Sequence, residues 1–510
     1  MARKWWTLVA VSIGIFMLLL DLTIVNVALP TIQHSFHASL SALQWVIDAY
    51  ALALAAMLLT TGSLADRFGR RRLFAIGITI FTLGSVLCGL SGSAAFLCVA
   101  RGLQGIGGAT MFSVALALIS DAFRGRDRGA AFAVFGATTG VSVAVGPVLG
   151  GIITTDLSWR WIFFVNVPLG LIAFAITLMR VSESRDPNAT RADWAGFILF
   201  TTALAALVYG LIRANALGWG AGEVLGCFAA FAVLLAAFIG LELRSSYPML
   251  DLSLLRKPAF TGGLVAAFAV NGSIFSLLTY LTLYQQNILG FSALSTGLHF
   301  LVLTGALFVI SGVAGRLSSH LPVRTMIAPG FVLIGAGLLM MRGINVSTGW
   351  THLIPGFVLT GLGAGLVNTP LASTAVGVVD HTRAGMASGI NSTLRQVGTA
   401  TGVAALGSLL ATQSRSVIVS DLAHTPLARS ARAIAAHITS GGGGTTSAGG
   451  ALNRTVAHAA KAGFVSGLNE VTLIAAILAF IGAVFSFVLI RQRDFVRASE
   501  EGGVEGLAAA

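Results

Sequence analysis

The sequence predicts an all-α integral membrane protein of fourteen transmembrane helices, arranged as two six-helix bundles with two further helices inserted between them. Three observations carry that expectation. The 510 residues are 56% hydrophobic and only 10% charged, where a soluble protein runs near about 25% charged. Apolar runs of about 20 residues, enough to cross a bilayer, recur along the chain. The basic residues fall unevenly between alternate connections, which is how a polytopic chain is oriented. The excess of 31 Lys+Arg over 19 Asp+Glu is therefore read as an orienting bias and not as a nucleic-acid footprint.

The spans are read at 7–29, 42–63, 73–92, 95–119, 129–153, 161–181, 194–213, 222–242, 261–287, 294–315, 324–343, 352–377, 388–411 and 470–490. With the N-terminus inside, 21 of the 31 basic residues fall on the cytoplasmic side and eight outside, and Arg101 and Arg395 lie within spans. Both termini are expected in the cytoplasm. The opening Arg3-Lys4-Trp5-Trp6 imitates a signal peptide, but the apolar run continues past Asp21 to Pro30, so it is read as the first span. Cys88, Cys98 and Cys227 sit in apolar runs and form no disulfide framework. The long outer connection 412–469, with its glycines Gly441–Gly444 and Gly449–Gly450 flanked by Ala-rich stretches suited to short helices, reads as a surface loop with a flexible middle and not as a domain. The tail after Arg497 reads as disordered.

A faint repeat relates the two halves. Arg128-Gly129-Ala130-Ala131 before the fifth span echoes Arg383-Ala384-Gly385-Met386 before the thirteenth. Gly62 after the second echoes Gly312 after the tenth. Parallel repeats of six helices are a transporter architecture. The expected organisation is an N-terminal bundle at 1–181, two inserted helices with linkers at 182–260, a C-terminal bundle at 261–490 that includes 412–469, and a cytoplasmic tail at 491–510.

A charge inside the bilayer costs roughly 2.5–3.5 kcal/mol on insertion scales, so each one is a functional candidate. Asp21 and Asp48 are the acids well inside apolar runs. At 1.5 Å rise per residue, Asp21, Asp48 and Arg101 all lie roughly 10–14 Å below the outer surface. Gln104 shares a helix face with Arg101. Two carboxylates, a guanidinium and an amide at one depth point to a polar site within the bundle. A carboxylate whose surroundings alternate between wet and dry takes up and releases a proton in each cycle. A polar or cationic substrate competing for it would couple export to proton entry. Arg395 lies about eight residues from the cytoplasmic end of the thirteenth span, where it either snorkels to that face or serves the interior.

Four motifs accompany these charges. The first is Leu20-Asp21-Leu22-Thr23-Ile24-Val25-Asn26-Val27-Ala28-Leu29-Pro30 in the first span. The second, read as the connection between the second and third spans, is Gly62-Ser63-Leu64-Ala65-Asp66-Arg67-Phe68-Gly69-Arg70-Arg71-Arg72. Its glycines permit a tight turn, and Asp66 suits the positive end of a neighbouring helix. The third is Arg101-Gly102-Leu103-Gln104-Gly105-Ile106-Gly107-Gly108-Ala109 in the fourth span, where Gly105 and Gly108 read as packing residues. The fourth is Gly140-Val141-Ser142-Val143-Ala144-Val145-Gly146-Pro147-Val148-Leu149-Gly150-Gly151 in the fifth span, where Pro147 removes a backbone hydrogen bond and bends the helix. Trp159-Arg160-Trp161-Ile162-Phe163-Phe164-Val165-Asn166-Val167-Pro168 follows it.

With these motifs the chain resembles the major facilitator superfamily, in particular its fourteen-helix drug:proton antiporters, over essentially 7–490. The resemblance implies a proton- or substrate-linked role for Asp21 and proton transfer by Arg101. Asp48 and Gln104 join them as candidates for proton coupling or substrate contact. It implies a gating loop at Gly62, Asp66, Arg67, Gly69 and Arg70, which latches the inner gate when the protein faces outward. It also implies an antiporter signature at Gly140, Gly146, Pro147 and Gly150. The second-half copy of the loop, Gly312-Val313-Ala314-Gly315-Arg316, lacks the acid, and spans nine to fourteen hold no mid-span acid. Proton coupling is therefore expected in the first half.

The implied function is export of small amphipathic, mainly cationic compounds across the plasma membrane. The partners are that cargo, protons and the lipid bilayer, with no nucleic acid and no cofactor; the sequence leaves the oligomeric state open and is compatible with a monomer. A metabolite symporter on the same fold is the alternative. A membrane enzyme is disfavoured because no HExxH motif or cysteine cluster occurs, and ATP drive because no Lys follows a Gly.

Overall fold

The computed structural model describes every residue except 1–2, 37–39, 124–125, 186–192, 246–249, 318–320, 380–383, 440–450 and 492–510. The chain is helical almost throughout, as an apolar sequence must be in lipid, where each backbone N–H and C=O needs a partner within its own segment. The helices are α1 (Arg3–Phe36), α2 (Leu40–Phe68), α3 (Arg70–Gly89), α4 (Ala94–Ala122) and α5 (Arg126–Asp156). Next come α6 (Trp161–Arg180), α7 (Trp194–Leu217) and α8 (Gly222–Glu242). They are followed by α9 (Pro258–Ile288), α10 (Ala293–Leu317), α11 (Arg324–Met340) and α12 (Ile354–Gly377). The chain ends in α13 (Ala384–Leu422), the short α14 (Ala431–Thr439) and α15 (Ala451–Leu489). Among the described residues, twelve helical stretches are long and apolar enough to cross a membrane, and α11 is apolar but shorter.

Buried apolar side chains gather into two large cores. One is drawn almost wholly from α1–α6 and includes Phe74, Phe81, Met111 and Phe132. The other is drawn from α9–α13 and α15 and includes Tyr284, Phe331, Phe357 and Leu468. Between the cores run close helix pairs, α5 against α10 and α2 against α13. At Gly315 of α10 a Cβ would stand 2.7 Å from the Gly129 carbonyl oxygen. Helices α7 and α8 pack on each other, and α7 rests on α2 and α13, where Thr60 and Thr201 share a 2.8 Å hydrogen bond. Leu225, Val233 and Ile239 of α8 are exposed, as suits a helix whose partner on that side is lipid.

Two stretches differ from the sequence reading. The motif 62–72 is not an extended connection. Helix α2 continues through Gly62 to Phe68, α3 starts at Arg70, and Gly69 alone makes the turn with φ 110°, a value that favours glycine. The connection 412–469, read as a loop with short helices flanking its glycines, is helical over longer stretches. Helix α13 runs on to Leu422 and α15 begins at Ala451. They stay together because Gly463 lets the Ser414 hydroxyl donate to its carbonyl at 3.1 Å. A small apolar cluster of Ile418, Leu422, Ala431, Ala435 and Ala459 ties in α14. The glycines at 441–444 and 449–450 and the tail after Arg497 lie outside the described residues.

Candidate functional site

One polar cluster is built on the face that α4 turns to its neighbours. Arg101 and Gln104, one turn apart, point into the bundle, and Gly105 beside them meets α2 so closely that a Cβ would lie 2.5 Å from the Tyr50 carbonyl oxygen. Asp21 of α1 is fully buried between these elements. Arg101 Nη1 donates to Asp21 Oδ2 and, at 2.8 Å, to Gln104 Oε1. Gln104 Nε2 donates to Asp21 Oδ1 at 2.9 Å and to Ser85 Oγ of α3 at 2.7 Å. Asn166 Nδ2 of α6 reaches Asp21 Oδ1 and Ser85 Oγ, each at 3.4 Å. Arg101 Nε donates to the Val46 carbonyl at 3.2 Å, and its guanidinium lies 4.1 Å from the Tyr50 ring centroid.

The Asp21 carboxylate ties α1 to α4 and α6, and Arg101, Gln104 and Asn166 carry the network on to α2 and α3. A buried ion pair is costly to desolvate, and removing one partner leaves an uncompensated charge worth about 3–5 kcal/mol. Asp48 does not join the cluster. It is half-buried on α2, and among the described residues no hydrogen bond or ion pair reaches its carboxylate. Ser85 and Asn166 escaped the sequence reading of the site, because uncharged polar residues are common in spans and carry no depth signal.

The C-terminal end of α2 holds a second cluster. Asp66 Oδ1 accepts from Arg70 Nε at 2.9 Å and Nη2 at 2.8 Å. Asp66 Oδ2 accepts at 2.7 Å from the backbone N–H of Met386, the third residue of α13. The first N–H groups of a helix lack intrahelical partners and favour a negative charge, so Asp66 closes α2 onto the opposite half. Glu183, after α6, accepts from the Arg71 N–H at 3.0 Å and so caps α3. Its carboxylate also neighbours Arg71 and Arg72 at 3.7 and 3.8 Å. A Cβ at Gly69 would fall 2.6 Å from Glu183 Oε1. Arg67 is half-buried, its guanidinium 5.1 Å from the Phe68 ring centroid, and Gly62 is buried within α2.

Helix α5 serves both halves. A Cβ at Gly146 would collide with the Thr23 side chain of α1, its Cβ 2.7 Å away, and one at Gly140 would meet Leu307 Cδ2 of α10 at 2.8 Å. Gly150 is buried, and its carbonyl accepts from Thr154 Oγ1 at 2.6 Å. Helix α5 is continuous through 147; the Pro147 side chain lies outside what is described. In the other half, Arg395 of α13 donates to Asn391 Oδ1 at 3.1 Å and to Asn368 Oδ1 of α12 at 3.0 Å.

Residues 11–403 match the family model of the Major Facilitator Superfamily. The chain belongs to the major facilitator superfamily. Among relatives, it is 39% identical to "Multidrug resistance protein Stp" of Mycobacterium tuberculosis over 79% of this chain and 75% of that protein. It is 34% identical to the "Tetracenomycin C resistance and export protein" of Streptomyces glaucescens, over 98% and 94%. The crystal structure of the human organic anion transporter MFSD10 superposes with a TM-score of 0.61 at 15% identity, covering 93% of this chain and 99% of that one, a likeness of fold. This superfamily member is thus a helical transporter by fold, with buried charge in both halves.

Proposed function

We propose that this chain is a proton-coupled antiporter that exports small amphipathic compounds, among them cations and antibiotics, across the plasma membrane by alternating access. The observation that carries the reading is the fully buried Asp21, whose partners Arg101 and Gln104 come from α4 and Asn166 from α6. The drug-resistance and export names of relatives at 34–39% identity support it. We further propose that α5 and α11 cross the membrane together with the twelve longer apolar stretches, giving fourteen spans in two bundles plus the α7–α8 pair, with both termini cytoplasmic.

In this reading the conformation is closed at its cytoplasmic end by Asp66, Arg70 and the start of α13. A proton arriving from outside neutralises Asp21 and frees Arg101 to move. The halves rock, Asp66 parts from Met386, and cargo enters from the inner side. Asp48, half-buried and unpaired by any described residue, serves cationic cargo. Gly140 and Gly146 keep α5 close to α10 and α1, so that α5 transmits the motion. The test is transport in proteoliposomes loaded with a fluorescent lipophilic cation. Uphill movement driven by an imposed pH gradient, in the direction opposite to proton flow, is expected; movement with the proton, or none that depends on it, contradicts the reading.

A further inference from the structure

Arg395 occupies a setting that the proton site does not explain. It stands nine residues from Met386, so about 14 Å up α13 from the inner latch, near the middle of the membrane. Its described partners are the two side-chain oxygens of Asn391 and Asn368, and neither carries charge. No acid lies mid-span in the second half of the sequence. Asn391 is fully buried, and its Nδ2 has no hydrogen-bond partner. A guanidinium has five N–H donors, and two of them meet these oxygens. The setting is rich in donors and lacks negative charge, and a cation so placed is stabilised by an anion.

The surroundings say where that anion comes from. Ala364, one turn before Asn368 on the same face of α12, lines an apolar cavity between the two halves together with Thr139, Gly140, Ile274, Phe275 and Leu307. Thr399, one turn beyond Arg395, accepts through its carbonyl from Ser276 Oγ at 3.1 Å, next to the π-helical turn Asn271–Phe275 of α9. The cavity holds about 10 Å³ in this conformation, room for water and no more, and rocking of the halves would widen it. A cation one turn below an apolar recess matches an amphipathic acid, ring system in the recess and carboxylate on the cation.

We propose that Arg395, oriented by Asn368 and Asn391, is the binding site for a carboxylate group of the cargo. The exported compounds then include amphipathic carboxylic acids and zwitterions as well as cations. The inference deepens the export reading and rests on it only for the direction of transport, since binding is measured without it. A charge-assisted hydrogen bond is roughly twice as strong as a neutral one and most geometric when bidentate, so arginine suits a carboxylate.

The probes are pyrenebutyrate and its uncharged methyl ester, used on the purified full chain by fluorescence titration and in proteoliposomes by transport. The wild type is expected to bind the acid more tightly than the ester. Arg395→Gln should weaken the acid by about tenfold or more and leave the ester within about twofold, whereas Arg395→Lys keeps most acid binding. Asn368→Asp places an internal counter-ion beside the guanidinium, and should displace the acid while keeping or raising thermal stability. Equal loss of acid and ester in Arg395→Gln, or a wild type without preference for the acid, overturns the proposal. So does unchanged acid binding in a folded Asn368→Asp protein. Arg395-dependent binding without proton-driven transport upholds this site and defeats the export reading instead.

Discussion

Asp66 near the C-terminal end of α2 accepts a 2.7 Å hydrogen bond from the backbone N–H of Met386 at the start of α13, although the two residues lie 320 positions apart in the chain. The same carboxylate holds Arg70 through two hydrogen bonds from its guanidinium. One side chain therefore closes the seam between the halves and secures the turn into α3. A side-chain change at Met386 leaves its backbone amide in place, so this hydrogen bond is tested at the acid.

Asp66→Asn keeps the shape and removes the charge. A hydrogen bond to a charged group is worth about 1.5–3 kcal/mol, so the closed state should lose about tenfold or more of its population advantage. The measurement is alkylation of a single cysteine introduced as Ser388→Cys, two residues beyond the latch. Labelling from the cytoplasmic side should speed up in the Asp66→Asn background. An unchanged rate would mean that Asp66 does not hold the gate.

The Asp21–Arg101 pair makes a prediction about stability. Arg101→Ala leaves the buried carboxylate without its cation, and should destabilise by about 3–5 kcal/mol. Arg101→Gln combined with Asp21→Asn removes both charges and should recover most of that loss. Thermal unfolding in detergent reads both. If the double variant is as unstable as the single ones, the pair contributes through something other than charge balance.

The fold was legible where hydropathy speaks and obscure where it does not. Runs of Leu, Ile, Val and Phe mark the spans, and helix rise placed Asp21 and Arg101 at one depth. The same arithmetic set Asp48 beside them, yet depth does not say which way a side chain turns, and Asp48 remains apart. The motif at 62–72 read as a loop because its charges lower hydropathy; Gly69 with φ 110° shows that one residue suffices to reverse the chain. The Ala-rich stretches around the glycines suggest short helices, but the length to which α13 and α15 continue rests on their packing on each other and on α14, which local composition does not show. Glu183 capping α3, and Asn368 meeting Arg395, are tertiary partnerships between helices that no local pattern announces.

The contact between α5 and α1 gives a steric prediction. Gly146→Ala would drive a methyl group into Thr23, whose Cβ lies 2.7 Å from the new atom, and overpacking of this kind costs about 1–3 kcal/mol. Export should fall by about tenfold or more. Thr23→Gly in the same chain should restore part of it. Absence of rescue would place the role of Gly146 elsewhere than in this contact.

Asp48 predicts a split by cargo charge. Asp48→Asn should reduce efflux of a lipophilic cation more than that of a neutral compound of similar size, because the variant loses an attraction worth a large part of a charge-assisted hydrogen bond. Efflux assays in cells lacking other pumps measure both cargoes side by side. Equal loss for the two would assign Asp48 to coupling rather than to cargo selection.

The central claim is that Asp21 exchanges a proton as its partners on α4 and α6 part and rejoin. The most direct measurement is transport of a lipophilic cation by the purified protein in proteoliposomes under an imposed pH gradient, compared with Asp21→Asn at matched incorporation. The expected result is gradient-driven uphill transport by the wild type and none by Asp21→Asn, with downhill binding of cargo retained. Uphill transport by the amide variant at the wild-type rate would contradict the account.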